Sequence, residues 1–288
     1  NTKYKASPDH PLRLYAADFD QSGSFDVVEA KESEGKLLPV RGLSCSSEAM
    51  PALRNAFPTY DRFARATLPE IYGQDALSGA KELRCDELRN LLFVFRDGRF
   101  HASPLPRAAQ IAPLQGVVAE DLDGDGVLDL VLAQNSFAPE PETGRFDGGL
   151  GLLLRGLGGG AFEAVDVAAS GFAFGGDQKA LVAFAGPEGS LRLLLATNDG
   201  PLHAVEASVR GLCVRLRGEK GNPTAIGARV ELVLRDGLRQ SRCTAAGSGY
   251  LSTGSAAVFF GPAGEGAEVR VTWPDGGTST TPVPKDAR

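Results

Sequence analysis

Tryptophan and methionine occur once each in 288 residues, histidine three times and cysteine four times. These shortages remove much of the chemistry a sequence can advertise. No C-x-x-C pair occurs, which argues against zinc frameworks and thioredoxin-like exchange. His10, His101 and His203 stand in or beside predicted turns and strand ends. None has a Ser or Cys nucleophile motif beside it, and there is no Gly-x-Ser-x-Gly elbow. No catalytic residue is assigned. Gly156 through Gly160 is glycine-rich but lacks a following helix or a Lys-Ser/Thr pair, so a phosphate-cradle reading is weak. Lys and Arg are scattered against a net charge of −6, which argues against nucleic acid as a partner. No stretch of about 18 uncharged apolar residues is present, so no membrane span is expected and membrane association would run only through partners. No leader peptide is visible, and the chain starts at Asn1 rather than Met.

Aspartate, by contrast, is concentrated. In Asp121-Leu-Asp123-Gly-Asp125-Gly-Val127-Leu-Asp129 four carboxylates occupy positions 1, 3, 5 and 9 of a tight loop. Like charges so close repel unless a hard cation with oxygen preferences sits among them. Asp121, Asp123 and Asp125 would supply side-chain oxygens, Val127 a backbone carbonyl and Asp129 the closing carboxylate. The expected ion is calcium. The loop is not an EF-hand, because position 12 is Leu132, inside an aliphatic strand, rather than a bidentate Glu.

The spacing recurs. Asp18, Asp20, Ser22, Ser24 and Asp26 repeat it, and Val27-Val28 follows as Leu130-Val131-Leu132 follows the other loop. A third copy aligns through Ala196-Thr197-Asn198 with Ala133-Gln134-Asn135, placing Phe184, Gly186, Glu188 and Arg192 at the four ligand positions. One carboxylate remains there and an Arg replaces the closing Asp, so no metal is expected. Between the loops lie hairpin patterns, one around Asp97-Gly98 and one around Gly158-Gly159-Gly160. Hairpin, strand, acidic loop, strand is thus an internal repeat with unequal insertions, of the kind that builds propeller blades.

These repeats resemble FG-GAP (VCBS-type) repeats, the calcium-binding blades of integrin-α-like β-propellers. A second series resembles the ASPIC/UnbV domain: Gly221-Asn222 with Ala225-Ile226-Gly227-Ala228, Gly247-Ser248-Gly249-Tyr250, Phe260-Gly261, and Trp273-Pro274-Asp275-Gly276. Val258 departs from it, standing where family members often carry His. The two parts in this order are similar to the cartilage-acidic-protein-like family. The resemblance implies an all-β fold, with partial propeller blades over residues 1–208 and a small β-sandwich or barrel over 209–288.

Three blades do not close a propeller. The expectation is a fragment of a longer chain, or else a subunit whose open edges dock on partners. A helical insertion is expected near residues 46–72, as two short helices separated by Pro58 with Ser47 and Thr59 as N-caps and Phe63, Leu68 and Tyr60 on one stripe. The segment from Ser136 through Gly149 reads as a surface loop. Trp273 reads most simply as a core anchor.

The resemblance further implies a secreted, periplasmic or cell-surface protein. In that compartment Cys45 with Cys85, and Cys213 with Cys243, are open to pairing, which spacing alone does not decide. The function expected is a non-catalytic, calcium-binding interaction or scaffold protein with protein or glycan partners. The alternative is an enzyme or biosynthetic accessory subunit with a small-molecule pocket, suggested by the domain's occurrence in enediyne biosynthesis clusters.

Overall fold

The computed structural model describes residues 4–139, 143–250 and 252–285. Glu140, Pro141 and Glu142 of the expected surface loop, Leu251, and the side chain of Glu188 lie outside the described residues. The chain is mostly β-strand and divides into two compact units, one through Arg89 and one from Asn90. No closed propeller is formed among the described residues, where the sheets hold two to four strands each.

The first unit is a four-stranded antiparallel sheet with a helical cover. Its strands are β1 (Leu12–Ala17), β2 (Asp26–Ser33), β3 (Lys36–Pro39) and β4 (Lys81–Cys85), in the order β3-β2-β1-β4. Alternation puts Tyr15, Val28 and Ala30 on one face, where they share a core with Leu43, Leu53, Phe57, Phe63, Leu68 and Leu77 of the helical segment. Each Leu, Val or Phe among them contributes about 1.5–3 kcal/mol when fully buried.

Five short helices make this cover, not the expected two: α1 (Leu43–Ala49), α2 (Leu53–Ala56), α3 (Tyr60–Arg65), α4 (Leu68–Tyr72) and α5 (Gln74–Gly79). Pro51 and Pro58 break the run because neither can donate to a preceding turn. Thr67 and Glu70 form a capping box that restarts it at α4, with Pro69 tolerated in the first turn. Gly73, at φ 86, makes the bend into α5. Thr59 caps α3 by accepting from the Arg62 N–H, as expected. Ser47 does not cap; it lies buried inside α1 and donates to the Ser44 carbonyl. Phe63 and Leu68 are buried, whereas Tyr60 faces solvent.

The second unit opens with a hairpin, β5 (Leu91–Arg96) and β6 (Arg99–Pro104). Asp97 at φ 52 and Gly98 at φ 76 give the positive angles that a type I′ turn requires. A four-stranded antiparallel sheet follows in the order β10-β9-β8-β7, from β7 (Leu114–Glu120), β8 (Asp129–Gln134), β9 (Leu152–Gly158) and β10 (Ala161–Ala164). Every residue of β8 is buried; its apolar centre Leu130-Val131-Leu132-Ala133 accounts for four of them, and the polar ends Asp129 and Gln134 are buried with it. After α6 (Val167–Ser170) comes a three-stranded sheet of β11 (Asp177–Ala185), β12 (Leu191–Asn198) and β13 (Leu202–Glu206). Val118, Val131, Leu181, Leu193 and Leu195 join the two sheets in one core.

The C-terminal part has two more sheets. One pairs β14 (Leu212–Val214) with β17 (Val258–Phe260). The other runs β16-β15-β18-β19, from β15 (Arg229–Val233), β16 (Arg239–Cys243), β18 (Glu268–Thr272) and β19 (Thr278–Pro282). Val230, Leu232, Phe260 and Val271 are buried between them, and Trp273 packs at the edge of that core. All four cysteines are free, so neither of the two pairings is formed.

Candidate metal centre

In the second unit β7 and β8 run antiparallel with Glu120 opposite Asp129, so the acidic loop is the turn of a hairpin. Asp121, Asp123 and Asp129 bring carboxylate oxygens within 4.8 Å of one another. Asp129 is 2% exposed: one oxygen accepts from the Leu122 N–H at 2.8 Å, the other from the Gly156 N–H of β9 at 2.9 Å. Asp121 accepts from the Gly124 and Gly126 N–H groups at 2.8 and 3.0 Å. Both glycines have positive φ, 82 and 90, which folds the loop back on its own carboxylates.

Burial raises the Asp121 and Asp129 carboxyls above their ordinary values, and the neighbouring Asp123 and Asp125 add to it against the backbone donors. A divalent cation reverses that penalty, because its charge favours every ionised oxygen at once. Asp125 stands outside the close group; its carboxylate accepts from the Val127 N–H at 2.7 Å.

The loop also rests on the C-terminal sheets of its own unit. A Cβ added to Gly261 would lie 2.1 Å from Asp121 Oδ2, and one on Gly124 would lie 3.1 Å from Pro262. Gly126 faces the amide of Gln240, whose Oε1 is buried with no hydrogen-bond partner among the described residues. One residue before the loop, Glu120 lies 3.6 Å from Arg242, whose guanidinium also stacks over Phe260 at 5.3 Å. Burial pushes the Glu120 carboxyl up to about 7, against the nearby Arg242 charge. Gly156, Gln240, Arg242 and Gly261 carry no signal of this role in the sequence, because each reaches the loop from a distant strand or turn.

The first unit repeats the turn between β1 and β2. Asp18, Asp20 and Asp26 bring carboxylate oxygens within 4.8 Å of one another. Asp26 accepts from the Phe19 N–H at 3.0 Å, the counterpart of Asp129 with Leu122. Asp18 accepts from the Ser22 and Gly23 N–H groups, both at 2.9 Å. Ser22 and Ser24 share a hydroxyl hydrogen bond of 2.8 Å. This loop is more exposed, with Phe25 81% accessible at its rim.

The third copy is a plain hairpin. Phe184 and Arg192 are register partners on β11 and β12, and Arg192 pairs with Glu206 of β13 at 2.7 Å. The guanidinium that replaces the closing Asp is thus engaged within its own sheet.

The donor sets in the two aspartate loops are all oxygen, which suits calcium over softer metals. A search of curated proteins gave no match to the chain. Residues 218–286, which carry β15 through β19, match the family described as ASPIC and UnbV.

Proposed function

We propose that this is a non-catalytic, extracytoplasmic interaction or scaffold protein whose aspartate loops hold calcium as a structural ion. The observation that carries the reading is the position of the Asp121–Asp129 loop. It closes a β-hairpin on one side and is packed against Gly261 and Pro262 on the other. An ion there would cross-link strand ends to the C-terminal sheets. The coordinating residues would be Asp121, Asp123, Asp125 and Asp129 with the Val127 carbonyl, and Asp18, Asp20 and Asp26 with Ser22 and Ser24 in the first unit. In this reading the four-stranded antiparallel sheets are FG-GAP-type blades, and the chain is of the cartilage-acidic-protein-like kind. Binding of a protein or glycan partner then falls to exposed faces and loops.

The test is a thermal melt in millimolar calcium against excess EGTA, with Asp123→Ala alongside. An ion that binds only the folded state stabilises by about 2.7 kcal/mol at a hundred times its dissociation constant. A calcium-dependent rise in midpoint, diminished in Asp123→Ala, is expected. Identical melts in both buffers sink the reading.

One observation favours the alternative of a small-molecule pocket. A cavity of about 360 Å³ opens beside Asp123 and Asp129, walled by Leu153, Phe172, Leu193 and Val205. Calcium-dependent uptake of an apolar fluorophore, lost on Leu193→Trp, would move the assignment towards that alternative.

A further inference from the structure

A separate cavity with mixed walls lies wholly within the C-terminal part and includes no residue of the aspartate loops. It encloses about 410 Å³ and is lined by Arg217, Glu219, Asn222, Ala225, Trp273 and Asp275, with Pro274 beside the indole. Its floor and its aromatic wall are both held in place. Trp273 is half-buried, and its Nε1 donates to Ser279 Oγ at 3.0 Å, which fixes the ring plane. Ala225 is 1% exposed and adopts φ 51, a left-handed conformation that an L residue keeps only when its surroundings impose it. Those surroundings are visible. Thr244 Oγ1 donates to the Ala225 carbonyl, and the Asn222 amide both accepts from and donates to the Ile226 backbone, at 2.8 and 2.9 Å.

The rim is polar and uncommitted. Arg217 and Glu219 expose their charged ends with no side-chain hydrogen bond or ion pair among the described residues. Asp275 spends one oxygen on the Gly277 N–H at 2.8 Å and keeps the other. A fixed indole face bracketed by two carboxylates and one guanidinium is a selective combination. The carboxylates accept from hydroxyls and repel phosphates. The guanidinium donates to ring and hydroxyl oxygens and disfavours a cationic guest. A single aromatic wall is not the cage that quaternary ammonium groups require. The guest that meets all three conditions has an apolar C–H face and a rim of vicinal hydroxyls.

We propose that the Trp273 cavity is a saccharide-binding site. Sugar C–H groups stack on the indole, Glu219 and Asp275 accept hydroxyl hydrogens, and Arg217 donates. The proposal deepens the interaction reading above by naming a ligand class and a place, and it rests on that reading only for biological context.

The chain's only Trp is the one in the cavity, so tryptophan emission reports this site alone. The experiment titrates the full chain with cellotetraose, chitotetraose and maltotetraose to about 10 mM, in calcium and again in EGTA, matching the weak binding typical of a small exposed site. The expected result is a saturable emission change with at least one of the three. Arg217→Ala and Glu219→Gln, both at exposed positions, should each raise the apparent Kd by about five-fold or more with the melting midpoint unchanged. Flat titrations with all three sugars overturn the proposal, and so does an emission change that both variants retain. Flat titrations leave the calcium melts untouched, and calcium-independent melts leave the titrations untouched, so the two readings fail separately.

Discussion

Gly261 approaches the Asp121 carboxylate so closely that a methyl group on its Cα would lie 2.1 Å from Oδ2. The turn after β17 thereby sets the position of one wall of the aspartate loop. Gly261→Ala forces one of them to move. We expect a destabilisation of about 1–3 kcal/mol, the usual cost of overpacking, together with weaker calcium binding by calorimetric titration. Gly221→Ala is the control, because a Cβ there meets nothing within 4 Å; it should stay within about 0.5 kcal/mol of the parent. Equal behaviour of the two variants would remove the link between Gly261 and the loop.

Asp129 and Asp123 differ in what they do without an ion. Asp129 satisfies two backbone N–H groups from a 2% exposed position, whereas Asp123, among the described residues, accepts only from the Asp125 N–H in an exposed turn. Asp129→Ala should therefore lower stability by about 1–3 kcal/mol in EGTA as well as in calcium. Asp123→Ala should matter in calcium alone. Denaturant midpoints of both variants in both buffers check this, and an Asp129→Ala protein indistinguishable from the parent in EGTA contradicts it.

Asp177 supplies an acid limb to stability. Burial would raise its carboxyl, but Lys179 at 2.6 Å, the Phe137 N–H and the Asn198 amide outweigh that and hold it below its ordinary value. The folded state then binds this proton less readily than the unfolded one. Its stabilisation is complete above the ordinary Asp range near pH ~4 and is lost as pH falls through the lower folded value. Asp177→Asn should flatten that part of the profile. Parallel acid limbs for Asp177→Asn and the parent, measured by denaturant midpoints in EGTA, would contradict it.

The thiols give an independent check on compartment chemistry. All four cysteines are free, with Cys85 and Cys243 exposed and the Cys213 thiol raised by burial. Denatured protein purified without reductant should titrate all four with a thiol reagent. In the native state Cys85 and Cys243 should react first and Cys213 slowly. Dithiothreitol should leave the melting midpoint where it is. Fewer than four thiols after denaturation would mean that a disulfide forms in solution.

Much of the local structure is legible from residue patterns. The strands around each acidic loop follow from alternation and short apolar runs, and the Asp97-Gly98 hairpin follows from the positive angles that pair tolerates. Thr59 is readable as a cap because its hydroxyl serves a donor three residues away. The five-way division of the helical cover is harder to read. Pro51 stands visibly in the sequence, but whether a chain resumes after such a break depends on what the next turn buries. Leu53, Phe63, Leu68 and Leu77 restart it by sharing the core beneath β1 and β2.

The carboxylate spacing alone determined that the side chains at positions 1, 3 and 9 of the tight turn converge, since most of the bonds that orient them lie within the loop itself. The glycines at positions 4 and 6 are part of the same local code. What surrounds that turn was decided only by tertiary structure. Gly156 donates to Asp129 from another strand, Gly261 presses on Asp121 from the far end of the chain, and Arg242 reaches Glu120 across more than one hundred residues. Contacts at such separations depend on how whole sheets pack, and no window of sequence holds both partners.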